Sequence, residues 1–154
     1  MKALQEMTRF GGLSRSALMS RIRGSGNATT ELRFLVLLRA AGIKGWRRNY
    51  PLLGKPDFTF PKSRLVVFID GCFWHGHSCS TRKPKVNPEA WAAKFVRNKK
   101  RDSAVTRKLR KKGWSVIRIW ECSLAKRPES CIQRVVRATT KTRPGQGRSS
   151  STSL

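Results

Sequence analysis

The stretch that most restricts this chain is Asp57 to Cys79: D-F-T-F-P-K-S-R-L-V-V-F-I-D-G-C-F-W-H-G-H-S-C. It holds both histidines, two of the four cysteines, and two acids at the ends of expected strands. Its centre, Arg64–Asp70, is a near-continuous apolar run closed by Gly71. Such a run reads as a central strand covered on both faces. Whatever fold the chain adopts must therefore bury this strand and leave metal-capable side chains at its end.

The rest of the chain supplies elements to cover it. Residues 29–41 read as a helix with an apolar face of Leu32, Leu35, Val36 and Leu38. Asn27 or Thr29 is placed to cap its start and Gly42 to end it. Residues 46–53 are extended or a strand, and Asp57–Phe60 is a short strand before the Pro61-Lys62-Ser63 turn. A long helix starts at Asn87-Pro88 and stops at Gly113. Its stripe of Trp91, Phe95, Asn98, Asp102, Val105 and Leu109 recurs at alternating intervals of four and three, which is one helical face. Ser115–Trp120 is a second strand and Glu129–Thr139 a closing helix. A helix between two strands makes parallel neighbours. The expectation is an α/β fold with a central mixed sheet flanked by helices. Residues 29–139 form the domain, 1–28 a basic N-terminal arm with a short helix around Ser16–Ile22, and 140–154 a disordered basic tail.

With 34 Lys plus Arg against 8 Asp plus Glu, net charge is +26 over 154 residues. That excess is spread along the chain and suits a polyanion, nucleic acid first. No apolar run is long enough to span a membrane, and residues 1–20 lack a signal's apolar centre. A reducing intracellular setting is the expectation.

Cys72, His77 and Cys79 converge from one tight loop. Cys122 follows the second strand much as Cys72 follows the first, which completes a Cys₃His set suited to structural zinc. Cys131 is left over as a buried residue of the last helix. Four acids remain: Glu31, Asp57, Asp70 and Asp102. Two carboxylates and a strand-end carbonyl would hold Mg²⁺ against a phosphate, lowering the pKa of an attacking water. His75 is spare and is the side-chain type that moves protons near neutral pH. Asp102 would orient His75 or a water. Plainer readings stay open: Glu31 as a helix-dipole partner, Asp57 as a backbone acceptor, Asp70 as a turn former, His75 as a loop residue, Asp102 as an ion-pair partner. Phe73-Trp74, inside the zinc loop, and Trp91 are placed to wedge into DNA, with core packing equally open for Trp91.

The motifs G-K-P-D-F, V-V-F-I-D-G-C-F-W-H-G-H-S-C, N-K-K-R-D and G-W-S-V-I-R-I-W-E-C, with upstream M-S-R-I-R and T-E-L-R-F, resemble the very short patch repair endonucleases over about Met19–Cys122. The resemblance implies a restriction-endonuclease-like fold. It also implies Mg²⁺-dependent nicking of double-stranded DNA beside the T of a T:G mismatch left by deaminated 5-methylcytosine. Asp57 would be the metal ligand, His75 the base, and Asp102 and Glu31 supporting acids. Cys72, His77, Cys79 and Cys122 would bind zinc. Phe73, Trp74, Trp91 and, from the other groove, Met19 would enter the DNA. A bacterial, cytoplasmic, nucleoid-associated monomer follows, with a mismatch-repair protein as a possible partner. One departure stands out. A known form of the family has Thr-His ahead of the glycine, where this chain has Ile69-Asp70. The Ile69 carbonyl and the Asp70 carboxylate would then both be Mg²⁺ ligands.

Overall fold

The structure, a computed structural model, describes residues 30–79 and 87–140. The expected N-terminal arm with Met19, the basic loop at 80–86 and the tail beyond residue 140 lie outside these residues. The element order is α1 (Glu31–Ala40), β1 (Phe58–Phe60), β2 (Leu65–Asp70), α2 (Pro88–Lys111), β3 (Ser115–Trp120), α3 (Glu121–Lys126) and α4 (Pro128–Thr140).

The sheet has three strands in the order β1-β2-β3. β2 is central, antiparallel to β1 and parallel to β3. All six of its residues are buried, as a strand covered on both faces requires. The period of two along β2 sorts its side chains between two cores. Leu65, Val67 and Ile69 pack with Phe34, Leu38, Phe58, Ile119, Leu124 and Val135, so α1, α3 and α4 cover that face. Val66 and Phe68 pack with Leu109, Val105 and Val116, so α2 covers the other. Asp70 continues the second series. It therefore meets the polar end of the face that α2 covers.

Helix α1 departs from expectation in two ways. Its buried side chains are Glu31, Phe34 and Leu38, whereas Leu32 and Val36 are exposed. The four leucine and valine positions do not share one face, and the Phe34 ring, edge-on to Phe58 at 5.2 Å, decides the orientation. Its N-cap residue is Thr30, with no side-chain cap bond, while Asn27 and Thr29 fall outside the described residues. Gly42 ends it as expected. At φ 65° it lets Ile43 N–H reach back to the Leu38 carbonyl at 3.0 Å.

Residues 46–53 form no strand, only one bridge, Arg47 to Thr59. Gly54, at φ 81°, lets this segment press against Val105 of α2, where a Cβ would collide. That contact seats the Pro56-Asp57 lead-in to β1. The α2 stripe is the helix's more covered side, with Leu109 fully buried at its end. Asn87 occupies the N-cap in a left-handed conformation and makes no side-chain cap bond, leaving Pro88 to start the helix. Helix α3 was not expected. Glu121-Cys122 turns at once into six helical residues and inserts Leu124 into the core.

Candidate functional site

The parallel register pairs Asp70 with Trp120, so the chain leaves β2 and β3 side by side. Cys72 and Cys122 each lie two residues further on. The Cys122 N–H donates to Cys72 Sγ at 3.3 Å. Between Cys72 and Cys79 the loop folds tightly, with the His77 N–H bonded to the Cys72 carbonyl at 2.9 Å. Gly76 makes that turn at φ 56°, where a Cβ would stand 3.0 Å from the Phe95 ring. The loop thereby brings His77 Nδ1 to 2.9 Å from Cys79 Sγ and 3.7 Å from Cys122 Sγ.

The ligand atoms of Cys72, His77, Cys79 and Cys122 all lie within 4.8 Å of one another. Three thiols and one imidazole nitrogen at this spacing suit tetrahedral zinc, and the cluster is a zinc-binding site. Its thiols share protons unevenly. Burial pushes the Cys72 thiol up to about 12. Cys122 is pulled down, because hydrogen bonds from the Cys79 and Cys72 thiols outweigh its own burial. A bound zinc ion would be held by these deprotonated thiols and the His77 nitrogen, and would supply the positive charge that their crowding lacks. The His77 ring stacks on Trp120, centroids 4.2 Å apart, and the Cys72 N–H reaches Glu121 Oε2 at 3.3 Å. These contacts orient the ligands from outside. Cys131 is buried on α4 and is not one of the tetrad, as expected.

A second cluster sits on the α2 side of the same strand ends. His75 Nδ1 lies 2.7 Å from Asp102 Oδ2, a contact that favours the tautomer with its proton on Nδ1. Nε2 stands 3.7 Å from Asp70 Oδ1. Arg118, on β3, grips Asp70 with both arms, Nε to Oδ2 at 2.7 Å and Nη2 to Oδ1 at 3.0 Å. The same Nη2 lies 3.2 Å from Asp102 Oδ1. Asn98, one step up the α2 stripe, donates to the Trp74 carbonyl at 2.9 Å and ties the loop to the helix.

Asp57 and Glu31 make up the third part. Asp57 Oδ2 accepts the Ile69 N–H at 2.7 Å, which holds the carboxyl against β2 just before Asp70. Burial pushes the Asp57 carboxyl up to about 7; the Ile69 bond opposes this, while Glu31 and Asp70 nearby raise it further. Glu31 pairs with Arg48 at 2.5 Å. Glu31, Asp57, Asp70 and Asp102 thus form a chain of neighbours, although they come from α1, the lead-in to β1, β2 and α2. Asp57 has two carboxylates, Glu31 and Asp70, close by.

Phe73 and Trp74 are half-buried rather than free. Phe73 meets Trp74, Trp91 and Phe95 edge-on at 5.3, 5.2 and 6.3 Å, and Lys94 Nζ lies over both tryptophans. Helix α2 supplies the surface against which the pair packs.

Two open clefts flank the acids. One, of about 930 Å³, contains Asp70, His75 and Asp102 and is walled by Lys99, Arg107, Arg110, Lys111 and Arg118. The other, of about 790 Å³, is lined by Arg39, Trp46, Arg47, Arg48 and Tyr50, and Arg48 joins it to Glu31. The sequence reading passed over Arg118, Arg48 and Trp120. Arg118 did leave a sign: it is the one charge in S-V-I-R-I-W. Arg48 left none among so many arginines.

A family profile described as DNA mismatch endonuclease Vsr matches residues 8–81. The type II nicking enzyme V.NmeDIP of Neisseria meningitidis serogroup C is 38% identical over 110 residues, 70% of this chain and 74% of that protein. The type II nicking enzyme V.NmeAIP of Neisseria meningitidis serogroup A is 37% identical over 129 residues, 83% of this chain and 91% of the relative. DNA mismatch endonuclease Vsr of Escherichia coli K12 is 38% identical over 95 residues, 61% of each chain.

Proposed function

Since this chain belongs to the family of DNA mismatch endonuclease Vsr and the type II nicking enzymes, nucleases that act on DNA, we propose that it is a Mg²⁺-dependent endonuclease that nicks one strand of duplex DNA in a sequence context of its own. It acts as a monomer. The observation that carries this reading is the His75–Asp102 pair, 2.7 Å apart, on the floor of a basic cleft. Lys99, Arg107, Arg110 and Lys111 suit the phosphate backbone, and the arginine-lined cleft beyond Glu31 suits its continuation.

Asp57 and the Ile69 carbonyl would hold Mg²⁺, which supplies charge neutralisation at phosphorus and a more acidic water. Glu31, paired with Arg48, would stand beside Asp57 as a supporting acid. His75 Nε2 takes the proton of the attacking water, and Asp102 steadies the imidazolium that results. The phosphorus–oxygen bond to the bridging oxygen breaks as the new one forms, and the departing sugar oxygen takes its proton from solvent water. The zinc cluster fixes the loop from which His75 projects.

A second reading, recognition of a T:G mismatch, is favoured by the aromatic group Phe73, Trp74 and Trp91, which stands beside the base and would wedge into an unstable pair. Met19 would enter from the other groove.

Labelled duplexes carrying T:G, T:A or C:G at one position, each with and without Mg²⁺, separate these readings. A Mg²⁺-dependent nick in one strand is expected. Nicking confined to the T:G duplex selects the mismatch reading, and nicking of matched duplex selects the broader one. Binding without cleavage across several divalent metals would remove the enzyme reading.

A further inference from the structure

Asp70 was expected to be a metal ligand, yet both of its oxygens are engaged by one guanidinium. The Arg118 fork meets them at 2.7 and 3.0 Å, a bidentate geometry that Lys cannot reproduce. The pair is enclosed: the Asp70 and Arg118 side chains retain 7% and 23% of their exposure. Three further contacts hold the guanidinium. Nη2 reaches Asp102 Oδ1 at 3.2 Å, Nη1 donates to the Asp102 carbonyl at 3.3 Å, and Cζ lies over the Phe68 ring at 4.7 Å. Asp102 in turn holds His75, whose other nitrogen faces Asp70. The four side chains close a ring, and Arg118 is its only permanent cation.

We propose that Arg118 is a positioning residue for the nicking reaction and that Asp70 serves as its anchor rather than as a ligand of the catalytic metal. Two carboxylates flank one imidazole here. Without a cation between them they would repel each other, and Asp102 would have no fixed place from which to orient His75. Arg118 supplies that cation from a strand, a rigid element, and draws Asp70 and Asp102 to either side of itself. The metal is left to Asp57, whose carboxylate accepts the Ile69 N–H and, among the described residues, has no such arginine. This assignment rests on the proposed nuclease function.

The test uses full-length zinc-loaded protein, with Ca²⁺ binding measured by calorimetry and single-turnover nicking in Mg²⁺ at saturating DNA. Removing the pair as a neutral unit, Asp70→Asn with Arg118→Met, should leave Ca²⁺ affinity within about threefold of the parent, whereas Asp57→Asn should weaken it at least about tenfold. Arg118→Met should slow single-turnover nicking roughly a hundredfold while DNA affinity stays within about threefold. Arg118→Lys, which keeps the charge but loses the fork, should recover only part of that rate. A tenfold loss of Ca²⁺ affinity in the neutral double variant would make Asp70 a metal ligand and overturn the assignment. Weaker DNA binding with an unchanged saturated rate in Arg118→Met would make Arg118 a phosphate contact instead, and would also overturn it. If the parent protein nicks nothing, the proposed function falls, but the Ca²⁺ comparison still decides where Asp70 belongs.

Discussion

Two clusters of polar side chains share the ends of β2 and β3, and they are built on opposite principles. The zinc cluster draws three of its four ligands from eight consecutive residues, Cys72 to Cys79, and closes on itself. The acid cluster draws Glu31, Asp57, Asp70 and Asp102 from four separate segments, and Asp57 stays held near 7 by burial and by its neighbours. A closed set of soft ligands satisfies one ion completely and serves as a staple. The distributed set is answered mostly from within, Asp70 and Asp102 by Arg118 and Glu31 by Arg48, and under the proposed function only Asp57 would be left for a cation. The staple can support the site because it holds the loop carrying His75, between the two clusters.

The sharpest way to break this contrast is to remove the staple. Cys122→Ser or a strong chelator should abolish zinc binding and cost several kcal/mol of stability, on the order of the folding free energy itself. Zinc content and thermal melting would read this, and an unchanged melting curve after zinc loss would mean that the cluster is no staple. The same manipulation on the acid side should behave in reverse. Asp57→Asn keeps an acceptor for the Ile69 N–H and removes a charge beside Glu31 and Asp70. Nicking should fall by about a thousandfold or more, while zinc content is kept and stability at pH 8 is equal or higher.

A pH titration tests the same point in the unaltered chain. Folding raises the Asp57 pKa from 3.8 to about 7, so between those values the folded state binds the extra proton. Its contribution to stability is therefore full below about pH 4, declines as pH rises towards 7, and levels off above that. The decline should be on the order of a few kcal/mol at most. Asp57→Asn should remove it, and Mg²⁺ should reduce it by favouring the ionised carboxylate. Melting midpoints at fixed ionic strength would show whether the slope is present in the parent and absent in the variant.

Loss of Asp102 should cost less than loss of Asp57. Asp102→Asn leaves His75 in place but replaces a carboxylate that can only accept with an amide that can also donate to Nδ1 and hold the wrong tautomer, so nicking should fall roughly a hundredfold. Little change would mean that His75 needs no orienting partner. The smallest effect belongs to the flanking cleft. Arg47→Gln should weaken DNA binding modestly and lower the slope of log affinity against log salt by about 1. An unchanged slope would place the duplex elsewhere.

Much of the scaffold was legible because it depends on short-range periodicity. The continuous apolar run Leu65–Asp70 is the buried central strand, and the four-three spacing from Trp91 to Leu109 is the inner side of α2. The zinc tetrad was legible too, since three ligands are neighbours in sequence and the fourth occupies a matching place after a matching strand. Helix α3 was not, because six residues carry too little periodic signal. The face of α1 was misjudged because four apolar candidates outnumbered the places the core offered, and Phe34 took the deepest one.

By itself the sequence determined which side chains exist at the strand ends and that thiols and carboxylates would divide the chemistry there. Only the tertiary structure decided which charges answer one another. Asp70 is 48 residues from Arg118, and Glu31 is 17 from Arg48. In a chain with 34 basic residues, any acid has many candidate partners. Strand register and helix packing bring one of them within reach and hold the others away, and burial then makes that pairing obligatory.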